Sequence, residues 1–309
     1  IEDKGQEGIE LSMQRQLQGQ GGSRAVVRDR LGRVVEELGD PVDPRDGRDV
    51  VLTIDSKVQA LAYQRLRDAV TQHKAKAGSV VVLDAQSGEI LALANYPSYV
   101  PGDRRNLNGN QLRNRALTDV FEPGSTVKPF IIGRDLEEGL VKPETVLDTR
   151  PFMVGPLRVN DGEHGRPEMS VAQIIQKSSN VGTVKIAQRL DTRTMGELYQ
   201  SVGFGQKPQL GFPGTATGRM RPWKSWLPVE KATMAYGYGL SASLLQIARA
   251  YTALARDGEM APITLIKGGE PLPGARIFKP ETARTMRQMM RGTVSKDGTA
   301  PLAQPLGYS

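Results

Sequence analysis

Two β-rich runs joined by a short polar loop constrain the fold of this 309-residue chain more than any other feature. Ser79–Leu83 and Ile90–Ala94 consist mainly of valine, isoleucine, leucine and alanine, and Asp84–Gly88 separates them. Valine and isoleucine favour extended backbone, and a short loop that ends in glycine allows one strand to turn back beside the other. The pattern therefore predicts an antiparallel hairpin over residues 79–94.

Helical patterns flank this hairpin on both sides. Upstream, Asp55 or Ser56 can cap a helix. The apolar positions expected on its buried face are Val58, Leu61, Ala62, Leu66 and Ala69. Downstream, glycine and proline breaks separate predicted helices at residues 125–139, 170–176, 181–190, 194–202 and 240–255. This combination predicts a mixed α/β chain of the α+β class, with an antiparallel sheet flanked by helices.

The first 48 residues differ from the rest in being rich in glycine, glutamine and charge. A pair of valines stands on each side of the polar turn Asp29–Gly32, which predicts a second, small hairpin. Pro41 and Pro44 then indicate a linker. We expect a small N-terminal extension over residues 1–48 that packs on a main domain over residues 49–309.

Composition excludes several classes of function. The chain has no cysteine, which excludes a disulfide framework, a thiolate metal site and a cysteine nucleophile. The formal net charge of +7 makes nucleic-acid binding one interpretation. Only 5% of the residues are aromatic, and no zinc-finger or basic-helix pattern occurs, so a solvated basic surface is favoured. The sequence contains no run of about 20 apolar residues that would span a membrane.

A serine and a lysine three positions apart form the candidate catalytic pair. Pro123 and Gly124 break the preceding segment, so Ser125 lies in the first turn of a predicted helix and Lys128 follows on the same face. The Ser125 hydroxyl and the Lys128 ammonium can then approach each other, and the helix N-terminus offers N–H groups to a developing oxyanion. A lysine can act as the base for a serine once burial lowers its pKa. No histidine stands in a recognisable triad context; the two present are His73 and His164.

The second candidate motif is Ser178-Ser179-Asn180. A capping-box pattern at Ser170 and Gln173 starts a short helix that ends before Ser178. Ser178 and Asn180 are therefore expected in a loop between two helices, where both side chains can face one cleft. The competing interpretation is that these residues only cap the helices, which serine and asparagine often do. The motif alone does not decide between the two.

Together the motifs resemble the first two active-site motifs of penicillin-binding proteins and serine β-lactamases, in which Ser-x-x-Lys is followed by Ser-x-Asn. The surrounding sequence is more similar still to class B penicillin-binding proteins of the cell-division type. The segments that carry this resemblance are residues 5–10, 52–59, 113–116, 121–128, 176–182, 211–214 and 236–240. They extend over nearly the whole chain. The resemblance implies a serine β-lactamase/D,D-transpeptidase-like fold.

The resemblance also implies an acyl-enzyme mechanism without a metal or cofactor. Ser125 would attack the carbonyl of a D-alanyl-D-alanine stem peptide, and Lys128 would be its base. Ser178 would relay a proton to the leaving amine, and Asn180 would bind the substrate's backbone amide. β-Lactams would acylate Ser125 and stay attached. The residues expected to contact the substrate are Ser125, Ser178, Asn180, Tyr236, Tyr238 and Gly239.

Family members carry a third motif, Lys-Thr/Ser-Gly, on a strand. Residues 296–299 and 267–269 offer partial matches, but Asp297 would place a carboxylate where the substrate's own carboxylate binds. In the family the motif follows a Gly-Tyr pair that resembles Gly307-Tyr308. We therefore expect the motif and the last strands to lie beyond residue 309, and the isolated chain to be inactive or incompletely folded.

Location and partners follow from the resemblance as well. We expect the periplasmic side of the inner membrane, an anchor helix upstream of Ile1, and residues 1–48 as the remnant of an N-terminal non-catalytic module. The expected partners are peptidoglycan stem peptides, the lipid-linked precursor, β-lactams as inhibitors, a glycosyltransferase and other division proteins. Nucleic acid is not expected.

Two alternative functions remain open. A β-lactamase or D,D-carboxypeptidase needs a base that activates the deacylating water, and no glutamate stands in the loop context that β-lactamases use. A non-catalytic β-lactam sensor or scaffold of the division machinery would keep the fold and an acylatable serine.

Overall fold

The computed structural model describes residues 4–103, 105, 107–162, 165–268 and 273–304. The α-helices are α1 (Gly8–Ser12), α2 (Gln14–Leu17), α3 (Ser56–Gln72), α4 (Gly109–Leu112), α5 (Arg115–Thr118), α6 (Lys128–Glu137), α7 (Val171–Lys177), α8 (Asn180–Ala187), α9 (Thr192–Ser201), α10 (Pro228–Ala235), α11 (Leu244–Ala255) and α12 (Pro280–Met290). The strands are β1 (Ser23–Arg28), β2 (Val34–Val42), β3 (Gly78–Leu83), β4 (Ile90–Tyr96), β5 (Val120–Phe121), β6 (Val146–Asp148), β7 (Phe152–Val154), β8 (Leu157–Val159), β9 (Glu168–Ser170), β10 (Ala242–Ser243), β11 (Glu259–Met260) and β12 (Ala275–Arg276). Short 3₁₀ helices span Gly124–Val127, Trp223–Ser225, Arg291–Val294 and Pro301–Ala303.

The predicted hairpin is the antiparallel pair β3–β4, in which Val80 faces Ala94 and Val81 faces Leu93. Successive side chains of a strand point to opposite faces. On one face, Val80 and Ala94 pack against α3, and on the other, Val81 and Leu93 pack with Leu245 of α11. The prediction of an antiparallel sheet flanked by helices is therefore confirmed, and burial on both faces explains why β3 is an almost continuous apolar run.

Helix α3 begins where predicted, because the Asp55 carboxylate accepts hydrogen bonds from the N–H groups of its first turn. Its buried face differs from the prediction. Leu66 and Val70 are buried against the hairpin, whereas Leu61 and Ala69 are exposed. The buried positions, Leu66 and Val70, are four residues apart and therefore lie on one side of the helix. The two exposed positions lie to the side of this contact.

Helix α6 lies at the centre of the main hydrophobic core. Phe130, Ile131 and Ile132 are completely buried although they are consecutive, so every side of this part of the helix is covered. Phe130 contacts Phe204 edge-on at 6.3 Å between ring centroids. Helix α12 packs close to α6 at Gly133, where an added Cβ would lie 3.4 Å from Met286. The core thus holds the helix that follows the candidate nucleophile rigidly in place.

The five helices predicted downstream of the hairpin correspond to α6 with the turn before it, α7, α8, α9 and α11. The short helices α1, α2, α4 and α5 were not predicted. Helices α10 and α12 were also not predicted, because each begins with a proline. A proline usually indicates the end of a helix, but it also suits the first helical position. Helix α11 begins only at Leu244, because Ser243 caps it in a capping box with Gln246. Among the described residues, no helix is long and apolar enough to cross a membrane.

The N-terminal segment contains α1, α2 and the predicted hairpin, formed by β1 and β2. Every residue of the two strands is exposed except Val26, which is half-buried. Pro41, predicted in a linker, lies within β2. A proline is tolerated there because an edge strand leaves one side of its backbone unpaired.

Candidate active site

Ser125 lies in a single 3₁₀ turn, Gly124–Val127, immediately before α6. Pro129 explains this geometry. In an α-helix the Ser125 carbonyl would accept from the N–H of residue 129, which proline lacks. The Lys128 N–H donates to the Ser125 carbonyl instead. Side chains three positions apart are aligned in a 3₁₀ turn, so Ser125 and Lys128 project from the same side.

The Lys128 side chain is buried, with 2% of its surface exposed. Its ammonium donates to the Ser178 carbonyl at 2.5 Å, the Ser178 hydroxyl at 3.1 Å and Asn180 Oδ1 at 2.7 Å. Burial lowers the pKa of Lys128 to about 8, and the nearby Asp161 carboxylate opposes part of that effect. A measurable fraction of this lysine is therefore neutral near physiological pH, as a general base requires.

The second motif joins α7 to α8 through a strained residue. Ser178 ends α7 in the left-handed region, at φ 54° and ψ 43°. A residue with a Cβ rarely adopts this conformation, which costs about 1–2 kcal/mol. Such strain persists only where the surrounding structure enforces it, and it is common at functional sites. Ser179 then caps α8, and Asn180 is the first residue of that helix.

Asp161 supports this junction and was missed by sequence reasoning. Its carboxylate accepts hydrogen bonds from the Ser179 hydroxyl at 2.6 Å, the Asn180 N–H at 2.6 Å and the Val181 N–H at 2.9 Å. A carboxylate at a helix N-terminus is stabilised by the free N–H groups and the helix dipole. The only signal in the sequence is that Asp161 is followed by Gly162, which is typical of any turn.

In the described part of the chain, no hydrogen bond joins the Ser125 hydroxyl to the Lys128 ammonium. Among the described residues the exposed Ser125 hydroxyl makes no hydrogen bond, while the Lys128 ammonium is bound to Ser178 and Asn180. The structure therefore brings together Lys128, Ser178 and Asn180 and leaves the Ser125 hydroxyl free to rotate. In ligand-free structures, catalytic hydrogen bonds are often long and tighten only when the substrate binds.

The predicted substrate-binding residues Tyr236, Tyr238 and Gly239 lie on a turn that packs against the nucleophile's backbone. The Gly124 N–H donates to the Gly237 carbonyl at 3.1 Å. Gly237 has φ 86°, and a Cβ there would lie 2.0 Å from the Gly124 carbonyl oxygen, so only glycine fits. The two tyrosine rings meet edge-on at 5.7 Å, and 51% of Tyr238 is exposed.

The remaining candidates lie away from this site or outside the described residues. His73 ends α3 on the surface. Lys296 and Asp297 form a turn rather than a strand, consistent with the prediction that they are not the third motif. The candidates His164, Gly269, Gly307 and Tyr308 fall outside the described residues. Within the described part of the chain, no group of three or more acidic or histidine side chains could hold a metal ion.

Two family descriptions match the chain. Residues 78–309 match the penicillin binding protein transpeptidase domain. Residues 2–52 match the penicillin-binding protein dimerisation domain.

The similarity to known proteins extends over the whole chain. It is 46% identical over 310 residues to the probable peptidoglycan D,D-transpeptidase PenA of Neisseria meningitidis, covering 100% of this chain and 53% of that protein. It is 37% identical over 308 residues to the peptidoglycan D,D-transpeptidase FtsI of Escherichia coli, covering 100% of this chain and 52% of that protein. PenA of Neisseria flavescens is 46% identical over 301 residues, or 97% of this chain and 75% of that protein. The chain thus spans about half the length of the first two relatives.

Two solved structures are similar as well. A peptidoglycan glycosyltransferase from Burkholderia ambifaria superposes with a TM-score of 0.77 at 47% identity, covering 84% of this chain and 78% of that one. The transpeptidase domain of penicillin-binding protein 3 from Burkholderia pseudomallei superposes with a TM-score of 0.75 at 46% identity, covering 83% and 74%.

Proposed function

Because the chain belongs to the penicillin-binding protein transpeptidase family, we propose that it is the catalytic part of a D,D-transpeptidase that cross-links peptidoglycan during cell division. One observation carries the proposal. A buried lysine with a lowered pKa contacts Ser178 and Asn180 and projects from the same side of the chain as the exposed Ser125. This is the arrangement that base-assisted acyl transfer from a serine needs.

Acylation begins when the Ser125 hydroxyl rotates towards the neutral Lys128 amine and loses its proton to it. The Ser125 oxygen forms a bond to the carbonyl carbon of the penultimate D-alanine. The C–N bond to the terminal D-alanine then breaks. The proton passes from Lys128 through the Ser178 hydroxyl, 3.1 Å away, to the departing amine. The Ser125 N–H is one donor to the oxyanion.

Cross-linking reverses these roles. The amine of a neighbouring stem peptide attacks the ester carbonyl and loses a proton to the base, and the ester C–O bond breaks as Ser125 regains its proton. With a β-lactam, the ring C–N bond opens, but the leaving amine stays tethered to the acyl group. The acyl-enzyme therefore persists.

Residues at the rim of the site would contact the substrate. Asn180 would bind a backbone amide of the stem peptide. Among the described residues its Nδ2 makes only a long contact of 3.5 Å, with the Asn160 carbonyl. Tyr236, Tyr238 and Gly239 would line the opposite rim, because their turn lies against Gly124. The exposed ring of Tyr238 suits such a role because it offers a large rigid surface.

We also propose the organisation and setting of the whole protein. Residues 1–48 would belong to an N-terminal non-catalytic module and residues 49–309 to the transpeptidase domain, a division that the matches to residues 2–52 and 78–309 support. The protein would act on the periplasmic side of the inner membrane, held by an anchor helix. Its partners would be stem peptides, the lipid-linked precursor, a glycosyltransferase and other division proteins.

Intact-mass spectrometry of the full-length protein after penicillin treatment tests the proposal. We expect a mass increase of one whole penicillin, located on Ser125, and none in Ser125→Ala. A wild-type protein that gains no mass would refute acyl transfer. Turnover of a chromogenic cephalosporin within seconds would identify a β-lactamase instead. Acylation without cross-linking of lipid-linked precursor would identify a sensor.

A further inference from the structure

The nucleophile turn, which we define as residues 122–126, is restrained by side chains outside the two motifs. Gly124 has φ 58°, a conformation that glycine adopts easily but also leaves easily. The 3₁₀ hydrogen bond from Lys128 to Ser125 has poorer geometry than an α-helical one. Both features leave the backbone of the turn easy to displace, so the contacts that restrain it decide where the Ser125 Cα and Cβ lie.

Glu122 restrains the first end of the turn. Its carboxylate accepts a hydrogen bond from the Gly239 N–H at 2.9 Å. A bond to an ionised acceptor is about twice as strong as a neutral one. Next to it, the Gly124 N–H donates to the Gly237 carbonyl, and β5 pairs with β10 one residue before Glu122. Together these contacts attach the first half of the turn to the segment that carries Tyr238.

Tyr251 restrains the second end from another element, α11. Its hydroxyl donates to the Thr126 carbonyl at 2.9 Å. The ring is itself fixed by an edge-on contact with Phe130 at 5.4 Å between centroids. Burial raises the pKa of Tyr251 to about 12, so the hydroxyl keeps the proton that it donates. Thr126 directly follows Ser125, which places this contact one residue from the nucleophile.

We propose that Glu122 and Tyr251 are positioning residues. They restrain the two ends of the nucleophile turn and so fix the position of Ser125 relative to Lys128. The proposal rests on the acyl-transfer function proposed above. Neither side chain touches the reacting atoms; each acts through the backbone of the turn. Because a displacement of about 1 Å can lower a catalytic rate by as much as 10²-fold, loosening either end should slow acylation.

Conservative variants of the full-length protein test the two contacts separately. Tyr251→Phe removes only the hydroxyl that donates to Thr126. Glu122→Ala removes the acceptor for Gly239, whereas Glu122→Gln keeps an acceptor oxygen. Tyr63→Phe makes the same chemical change as Tyr251→Phe on α3, in the part of the domain that packs against the hairpin. Stopped-flow acylation by benzylpenicillin separates the acylation rate constant from the dissociation constant of the preceding complex.

We expect Tyr251→Phe and Glu122→Ala to lower the acylation rate constant roughly tenfold. In Tyr251→Phe the dissociation constant should change by less than about twofold, because this residue affects the reacting geometry rather than uniform binding. Glu122→Gln and Tyr63→Phe should stay within about threefold of wild type. Hydrogen exchange of residues 120–128 should be faster in the first two variants only.

Unchanged acylation together with unchanged exchange in Tyr251→Phe and Glu122→Ala would overturn the proposal. If wild type forms no penicillin adduct, the proposed function fails, and the exchange measurement alone then decides whether these residues restrain the turn. If one variant does not fold, the other decides, since they act from different elements.

Discussion

The pH dependence of acylation follows from the burial of Lys128. Burial lowers the pKa of this lysine to about 8, and only its neutral form can accept the Ser125 proton. At pH 7 about one tenth of the lysine is neutral, and at pH 9 about nine tenths, because each pH unit changes the ratio of the two forms tenfold. The acylation rate constant should therefore rise roughly tenfold between pH 7 and pH 9, with a midpoint near pH 8.

Asp161→Asn tests the same reasoning through the direction in which the midpoint of the pH profile moves. The Asp161 carboxylate raises the pKa of Lys128, so removing its charge should lower that pKa further. The midpoint should move to lower pH, and the rise between pH 7 and pH 9 should become smaller. Asparagine keeps one acceptor oxygen for the helix N-terminus that Asp161 caps, which limits the loss of structure.

Stopped-flow acylation of the full-length protein by benzylpenicillin between pH 6 and pH 10 measures both effects. Thermal unfolding at each pH controls for loss of folded protein. A rate constant that does not change between pH 7 and pH 9 would refute the assignment of Lys128 as the base. A midpoint that moves to higher pH in Asp161→Asn would refute the electrostatic reasoning.

Three further predictions concern stability, measured by chemical denaturation. Gly237→Ala should lower the free energy of unfolding by more than about 3 kcal/mol, because its Cβ would lie 2.0 Å from the Gly124 oxygen. Gly211→Ala is the control: Gly211 has φ 66° and open space around it, so alanine should lower the free energy of unfolding by about 1–2 kcal/mol. Asp135 is fully buried, its carboxylate has no hydrogen-bond partner in the described part of the chain, and burial raises its pKa to about 8. The folded state then binds more protons than the unfolded state above the ordinary pKa of 3.8, so wild-type stability should fall as pH rises from 4 to 8 by up to about 5 kcal/mol. Asp135→Asn should remove that slope, and an unchanged slope would contradict it. Ser170→Ala should lower stability by about 1 kcal/mol through loss of a helix cap, and no loss would show that the cap is redundant.

Local patterns predicted much of the fold because they report local physics. The β3–β4 hairpin, the cap of α3 and the capping box of α7 were all predicted, since each depends on residues close together in the chain. The prediction of the buried face of α3 was wrong at Leu61. Periodicity shows that a helix has an apolar side but not where the neighbouring element touches it.

The sequence by itself predicted Ser125, Lys128, Ser178 and Asn180 as candidate site residues, because the spacing of residues within each motif is a local property. Only the tertiary structure decided that the Lys128 ammonium meets Ser178 and Asn180, about 50 residues further along the chain.

Asp161, Glu122 and Tyr251 likewise became visible only in three dimensions. Their partners lie 18 to 125 residues away in the chain, at separations that no local pattern records. The lowered pKa of Lys128 is also a tertiary property, since desolvation depends on the packing of the whole core around one amine.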